Sequence, residues 1–129
     1  MEEGLRETDL EQDLELKDLN QYYGTQNYYS YLGIKLTDGI AYIMRNGYSW
    51  FVTDAIAVIV ANPTVRKYLQ EDTFLSIKLK LSKSKNSADM IIDDGNGNVL
   101  YKQHYSMTDA KVELKLFYDN GVLMLSREY

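Results

Sequence analysis

The sequence predicts an α+β fold, with N-terminal helices packed on one face of a C-terminal antiparallel sheet of about four strands. Three observations carry this expectation. Apolar residues recur at helical spacing through the first half of the chain. After Asp72 the apolar period changes to two, the repeat of a strand with one face buried. The tight-turn signals Asp94-Gly95-Asn96-Gly97 and Asp119-Asn120-Gly121 both fall in that second half. Helical and strand patterns segregated along a chain fold as helices against a sheet rather than as alternating βα units. With 129 residues, one proline and no Gly/Ser tract, the chain offers no linker and is read as one domain over residues 1–129.

Residues 5–20 read as an amphipathic helix whose apolar set is Leu5, Leu10, Leu14, Leu16 and Leu19, and Gly24 is the stop that follows. Residues 27–36 are tyrosine-rich and broken at Gly33, which suits a short extended piece. Thr37-Asp38 then supplies a helix cap ahead of Ile40, Ile43 and Met44, and Gly47 ends that helix. The same punctuation returns as Thr53-Asp54-Ala55-Ile56, so a second short helix is expected to begin there. Pro63 sits where it opens one further turn. In the second half, Ile77, Leu79 and Leu81 alternate with Lys78, Lys80 and Ser82, and residues 88–92 and 99–105 flank the Asp-Gly-Asn-Gly turn as a hairpin. Leu114, Leu116 and Tyr118 alternate with polar and aromatic neighbours. The last strand, Val122–Leu125, is read as a sheet edge open to pairing with a second copy of the chain.

Charge is distributed unevenly. Residues 1–18 hold eight acids against Arg6 and Lys17, a balance of −6, so the other 111 residues carry about +1 of the total −5. Glu3, Glu7, Glu11 and Glu15 follow one another at intervals of four and form a single stripe on a helix. Such a stripe is either a solvated face or arm, or an acidic surface that competes with nucleic acid for a basic groove. The acidic start, the absence of cysteine and the lack of any apolar run near 18 residues point to a cytoplasmic chain without a signal peptide or membrane span.

Reactive chemistry is sparsely represented. The single histidine, His104, falls at an outward position of its strand beside Lys102, with no serine elbow to complete a triad. One imidazole and no thiolate exclude the usual zinc sets, and no metal or cofactor is expected. The run from Asp93 to Asn98 is superficially similar to a calcium loop but has His104 where the twelfth-position glutamate belongs. Asp38 and Asp54 occupy equivalent places in the two Thr-Asp segments. They are either local capping and helix-dipole residues or a carboxylate pair for a divalent ion in a small hydrolase or nuclease.

The unusual part of the composition is aromatic: twelve tyrosines, three phenylalanines and one tryptophan. Tyr28, Tyr29, Tyr31, Tyr48 and Trp50 lie in a ring-rich stretch that suits a recognition surface as well as it suits a small core. Base stacking on those rings would require adjacent cations, and residues 20–51 contain only Lys35 and Arg45. The lysines cluster instead at Lys78, Lys80, Lys83 and Lys85, which makes single-stranded nucleic acid an alternative ligand but not the favoured one.

Several segments, taken in order, are similar to a family. They are the tyrosines around Tyr23-Gly24-Thr25, then Thr37-Asp38-Gly39-Ile40, the octet from Trp50 to Ala57, Asp94-Gly95-Asn96 and the ending Leu125-Ser126-Arg127-Glu128-Tyr129. Together they resemble a bacterial and phage family known only as a domain of unknown function, number 6876, from about Leu16 to the end. The family's usual ending is similar to Leu-Pro-Ser-Glu-Tyr, and this chain lacks that proline. The resemblance implies no catalytic residue. It implies a context of phages, plasmids and other mobile elements, whose small acidic proteins often inhibit host defence. The functional expectation is therefore a non-catalytic binding module, plausible as an anti-CRISPR-like inhibitor of a bacterial defence complex, acting through the ring-rich region and the acidic stripe.

Overall fold

A computed structural model describes residues 28–84 and 86–129. The expected helix over residues 5–20, the acidic stripe and Lys85 lie outside the described residues. The described chain begins with a hairpin, β1 (Tyr29–Tyr31) and β2 (Ile34–Leu36), turned by Leu32 and Gly33. Two helices follow, α1 (Asp38–Ile43) and α2 (Ser49–Ala61), then the short α3 (Pro63–Tyr68). Five strands complete the chain: β3 (Phe74–Leu81), β4 (Ala88–Asp93), β5 (Val99–Tyr105), β6 (Leu114–Asp119) and β7 (Val122–Leu125). A single 3-10 turn, Ser126–Glu128, ends it. None of the described helices is long and apolar enough to cross a membrane.

The architecture is α+β as expected, but the sheet has seven strands rather than four and is mixed. Its order is β1-β2-β7-β6-β3-β4-β5, with one parallel pair, β2 with β7, and every other pair antiparallel. The parallel neighbour explains the discrepancy. Three-residue strands leave almost no periodic signal, and the β2–β7 contact joins positions 35 and 122, beyond the reach of any local pattern. The same contact corrects the expectation for Val122–Leu125. β7 is internal, paired on both sides, and among the described residues the edges of the sheet are β1 and β5.

Alternation places one face of the sheet against the helices. Leu75, Ile77 and Leu79 of β3 align in register with Met90 and Ile92 of β4 and with Leu114 and Leu116 of β6, and all seven are buried. Ile40 and Ile43 of α1 and Phe51, Val52, Ile56 and Ile59 of α2 belong to the same core. The opposite face carries Lys78, Lys80, Lys115 and His104, as the period-two reading requires.

The two helices are separate because Asn46 and Gly47 leave helical geometry, Gly47 at φ 101. The expected stop at Gly47 is thus observed. The expected cap at Thr53 is not. The chain re-enters a helix at Ser49, and the Thr53 hydroxyl donates inside α2 to the carbonyls of Ser49 (3.0 Å) and Trp50 (3.2 Å). Phe51 and Val52 extend the buried apolar stripe one turn earlier than the Thr-Asp repeat suggests. Thr37 does cap α1, its Oγ1 accepting from Ile40 N at 3.4 Å. Asn62 caps α3 in the same manner, with Pro63 at the first position.

Candidate interaction surfaces

The sheet has an open hairpin at one end. Tyr29 and Tyr31 of β1 pair with Leu36 and Ile34, so their rings project to the helix side, yet they stay exposed. Tyr28 is 56% and Leu32 61% exposed beside them. Four large exposed apolar or aromatic side chains therefore cluster in sequence at this end of the sheet, two on the edge strand and one at each of its ends, and are called the tyrosine lip. β1 has no second pairing partner among the described residues. Rings that keep a polar tip in water while offering a broad apolar face are suited to protein recognition.

The remaining aromatic candidates do not join this lip. Tyr48 is buried, and its hydroxyl accepts hydrogen bonds from the backbone N–H groups of Lys111 (3.0 Å) and Val112 (3.2 Å). It fastens the loop before β6, which removes it from any binding surface. Trp50 is half-buried, its ring edge-on to Tyr105 at 4.9 Å. Tyr48 and Trp50 thus pack against the core, whereas Tyr28, Tyr29 and Tyr31 are exposed.

The outer sheet face is the second surface. Lys78 and Lys80 project from β3 and Lys115 from β6, with Lys78 directly paired to Lys115 in the register. Together with Arg127 and Ser126 they line an open groove of about 420 Å³. Lys83 is exposed on the β3–β4 connection, the turn after the strand. The rings of Phe74, Phe117 and Tyr129 meet on this face at centroid distances of 5.0–5.6 Å, and Lys115 Nζ lies 5.3 Å from the Phe117 centroid. The acids temper this basicity. Lys78 Nζ stands 3.4 Å from buried Asp93, and Lys80 Nζ 3.9 Å from Glu113. The three-ring cluster was not anticipated, although Phe117 shares its alternation parity with Lys115. Tyr129 follows the last strand and carries no periodic signal at all.

The two aspartates have different local settings. Asp38 is in the first turn of α1, where its charge favours the helix dipole. Asp54, in α2, accepts a 2.9 Å hydrogen bond from the Tyr105 hydroxyl. Burial, reinforced by this carboxylate, pushes the Tyr105 phenol well above its ordinary value. Thr108-Asp109, the third Thr-Asp, makes a local turn in which Thr108 Oγ1 accepts from Ala110 N at 3.1 Å. Among the described residues no group of three or more metal-ligating side chains converges. His104 is on the outer face, as its strand position predicts, with Nδ1 2.7 Å from Asp89 Oδ1. The run from Asp93 to Asn98 is a hairpin turn. The Asp94 carboxylate accepts from Asn96 N, Asn98 N and Asn98 Nδ2, and these bonds hold its pKa below the usual aspartate range.

The most informative side chain was missed by sequence reasoning. Glu128 reaches across 91 positions to accept from Thr37 Oγ1 at 2.6 Å, and it also accepts from Gly39 N at 3.1 Å and Leu125 N at 2.8 Å. It ties the end of the chain to the start of α1. The resemblance to a family ending in Glu-Tyr was the one hint that this carboxylate matters.

A family model described as "Family of unknown function (DUF6876)" matches residues 13–129. The chain belongs to that family. Membership in DUF6876 covers every described element from β1 to the C-terminal turn. Neither a curated protein nor a solved structure matches the chain.

Proposed function

We propose that this DUF6876 chain is a non-catalytic protein-interaction module that engages its partner through the tyrosine lip of the β1–β2 hairpin. The observation that carries the reading is the exposure of Tyr29 and Tyr31 on the edge strand β1, with Tyr28 and Leu32 also exposed at its two ends. The partner class is a bacterial defence complex such as a CRISPR effector, with the chain encoded by a phage or other mobile element. The balance of −6 over residues 1–18 supports that choice, because a negative surface speeds approach to a basic, nucleic-acid-binding groove. With a purified effector, the Tyr29→Ala/Tyr31→Ala variant should lose about tenfold or more in affinity while keeping its circular dichroism, as aromatic anchors at interfaces do. Neutralising Glu3, Glu7, Glu11 and Glu15 together should slow association and flatten its salt dependence. Unchanged affinity in the double tyrosine variant rejects the lip as the contact.

One observation favours a second reading, single-stranded nucleic acid on the outer sheet face. Lys78, Lys80 and Lys115 stand beside three clustered rings there, the combination that stacks bases and follows a phosphate backbone. A mobility shift that weakens steeply with salt and disappears in Lys80→Glu/Lys115→Glu supports it. No shift at low salt removes it.

A further inference from the structure

The last four residues of the chain divide their side chains between two sides. Glu128 turns toward α1, where it accepts from Thr37 Oγ1 and Gly39 N. Arg127 and Tyr129 go the other way. Arg127, with Ser126, lines the groove of about 420 Å³ beside Lys78, Lys80 and Lys115, within the range of about 300–1,000 Å³ of small-ligand sites. Tyr129 lays its ring against Phe74 and Phe117, at 5.6 and 5.2 Å, yet remains 69% exposed. The turn is thus held from one side by a carboxylate while it carries a guanidinium and a ring to the other. Lys115 joins these two features, because its Nζ is 5.3 Å from the Phe117 centroid and its side chain also lines the groove. Four cationic side chains face one carboxylate in that lining, Glu113, whose Oε2 accepts from Leu81 N at 2.9 Å. A groove of this balance suits an anion, and the adjoining rings suit a flat aromatic group joined to it.

We infer that the C-terminal turn completes a site for one nucleotide unit, an assignment that rests on the single-strand reading of this face: the phosphate lies between Arg127 and the lysines, and the base stacks on Tyr129. A guanidinium presents a planar fork of donors that two phosphate oxygens can accept together, which a lone ammonium cannot match. Of the three clustered rings Tyr129 is the exposed one, Phe74 and Phe117 being half-buried, so a base meets Tyr129 first. Stacking of this kind accepts any base, because every base has a π-face. An acidic peptide would satisfy the cations and leave the exposed ring unused.

Fluorescence anisotropy of a labelled oligothymidylate of about ten nucleotides, titrated at low salt with the full chain, tests this. Tyr129→Ala should weaken binding about tenfold, the order of one lost stack, and Tyr129→Phe should restore it. Arg127→Gln should weaken binding and lower the slope of log affinity against log salt by about one. Both side chains are exposed, so circular dichroism should not change in any of the three. Calorimetric titration with thymidine monophosphate separates two sources of the same chemistry. Binding that Tyr129→Ala removes assigns the site to a free nucleotide, and binding of oligothymidylate alone assigns it to a strand. If Lys80→Glu/Lys115→Glu abolishes oligothymidylate binding while Tyr129→Ala or Arg127→Gln leaves it unchanged, the single-strand reading stands and the site at the turn is overturned. Polyglutamate that binds as tightly as the oligonucleotide, and equally to Tyr129→Ala, also overturns the site. No binding of oligothymidylate by the wild type overturns the site and the single-strand reading together.

Discussion

Glu128 shows how much of this fold rests on one carboxylate. It satisfies the Thr37 hydroxyl and the backbone N–H groups of Gly39 and Leu125, two of which are helix- or strand-terminal donors with no regular partner. Glu128→Ala orphans three donors, and we expect a loss of ~2–3 kcal/mol in urea unfolding, with Glu128→Gln losing less. Gly39 belongs to the same contact. A Cβ there would fall 2.6 Å from both Glu128 Oε1 and Leu125 Cδ1. Glycine to alanine in a helix ordinarily stabilises by about 1 kcal/mol. Here the sign should invert, with Gly39→Ala destabilising by ~1–3 kcal/mol because packed side chains must shift. The check is its midpoint relative to wild type in the same titration. Tyr105 sets a pH dependence. Its folded pKa lies above the unfolded value, so its contribution is complete below about pH 10 and is lost as pH rises beyond that. Tyr105→Phe should lose about 1–2 kcal/mol at neutral pH through the missing bond to Asp54, and its melting temperature should fall less than that of wild type between neutral and strongly alkaline buffer.

At the level of elements, the junction between α1 and α2 decides where the helical layer bends. Gly47 adopts φ 101, a region a side chain resists, and buried Asn46 donates through Nδ2 to the Tyr42 carbonyl at 2.8 Å. Gly47→Ala should therefore cost about 1 kcal/mol, read as a lower denaturation midpoint with unchanged helical circular dichroism. Both sides of this bend were legible in part. Gly47 announced the stop, while the repeated Thr-Asp dipeptide suggested a start four residues later than Ser49. A threonine-aspartate pair fits a cap and an interior position equally well, and the choice fell to which residues bury apolar surface. The β4–β5 hairpin was legible throughout, since Asp94 and the glycines around it fix the turn by local hydrogen bonds. Lys78, Lys80 and His104 were placed outward by alternation alone. For Tyr48 the choice between recognition surface and core was not legible, because a tyrosine reads the same whether its hydroxyl meets water or the backbone of residues 111 and 112.

Across the whole molecule, the chain closes on itself. The N-terminal hairpin adds to the sheet beside the last strand, and residues 126–129 then cross to the start of α1 and lay Tyr129 on Phe74 and Phe117. Removing residues 126–129 should lower the melting temperature more than Glu128→Ala does, because ring contacts and the carboxylate clasp are lost together. An equal effect would show that the rings contribute nothing. The sequence by itself determined the α+β class, the period-two strands with their buried and wet faces, the turns and most helix boundaries, because each depends on interactions within a few residues. Tertiary structure alone decided the parallel β2–β7 pair, with it the internal place of β7, and the reach of Glu128 to Thr37. Those contacts join residues 87 to 91 positions apart. Local propensity carries no information about such partners, which are selected only when the whole apolar face is buried at once.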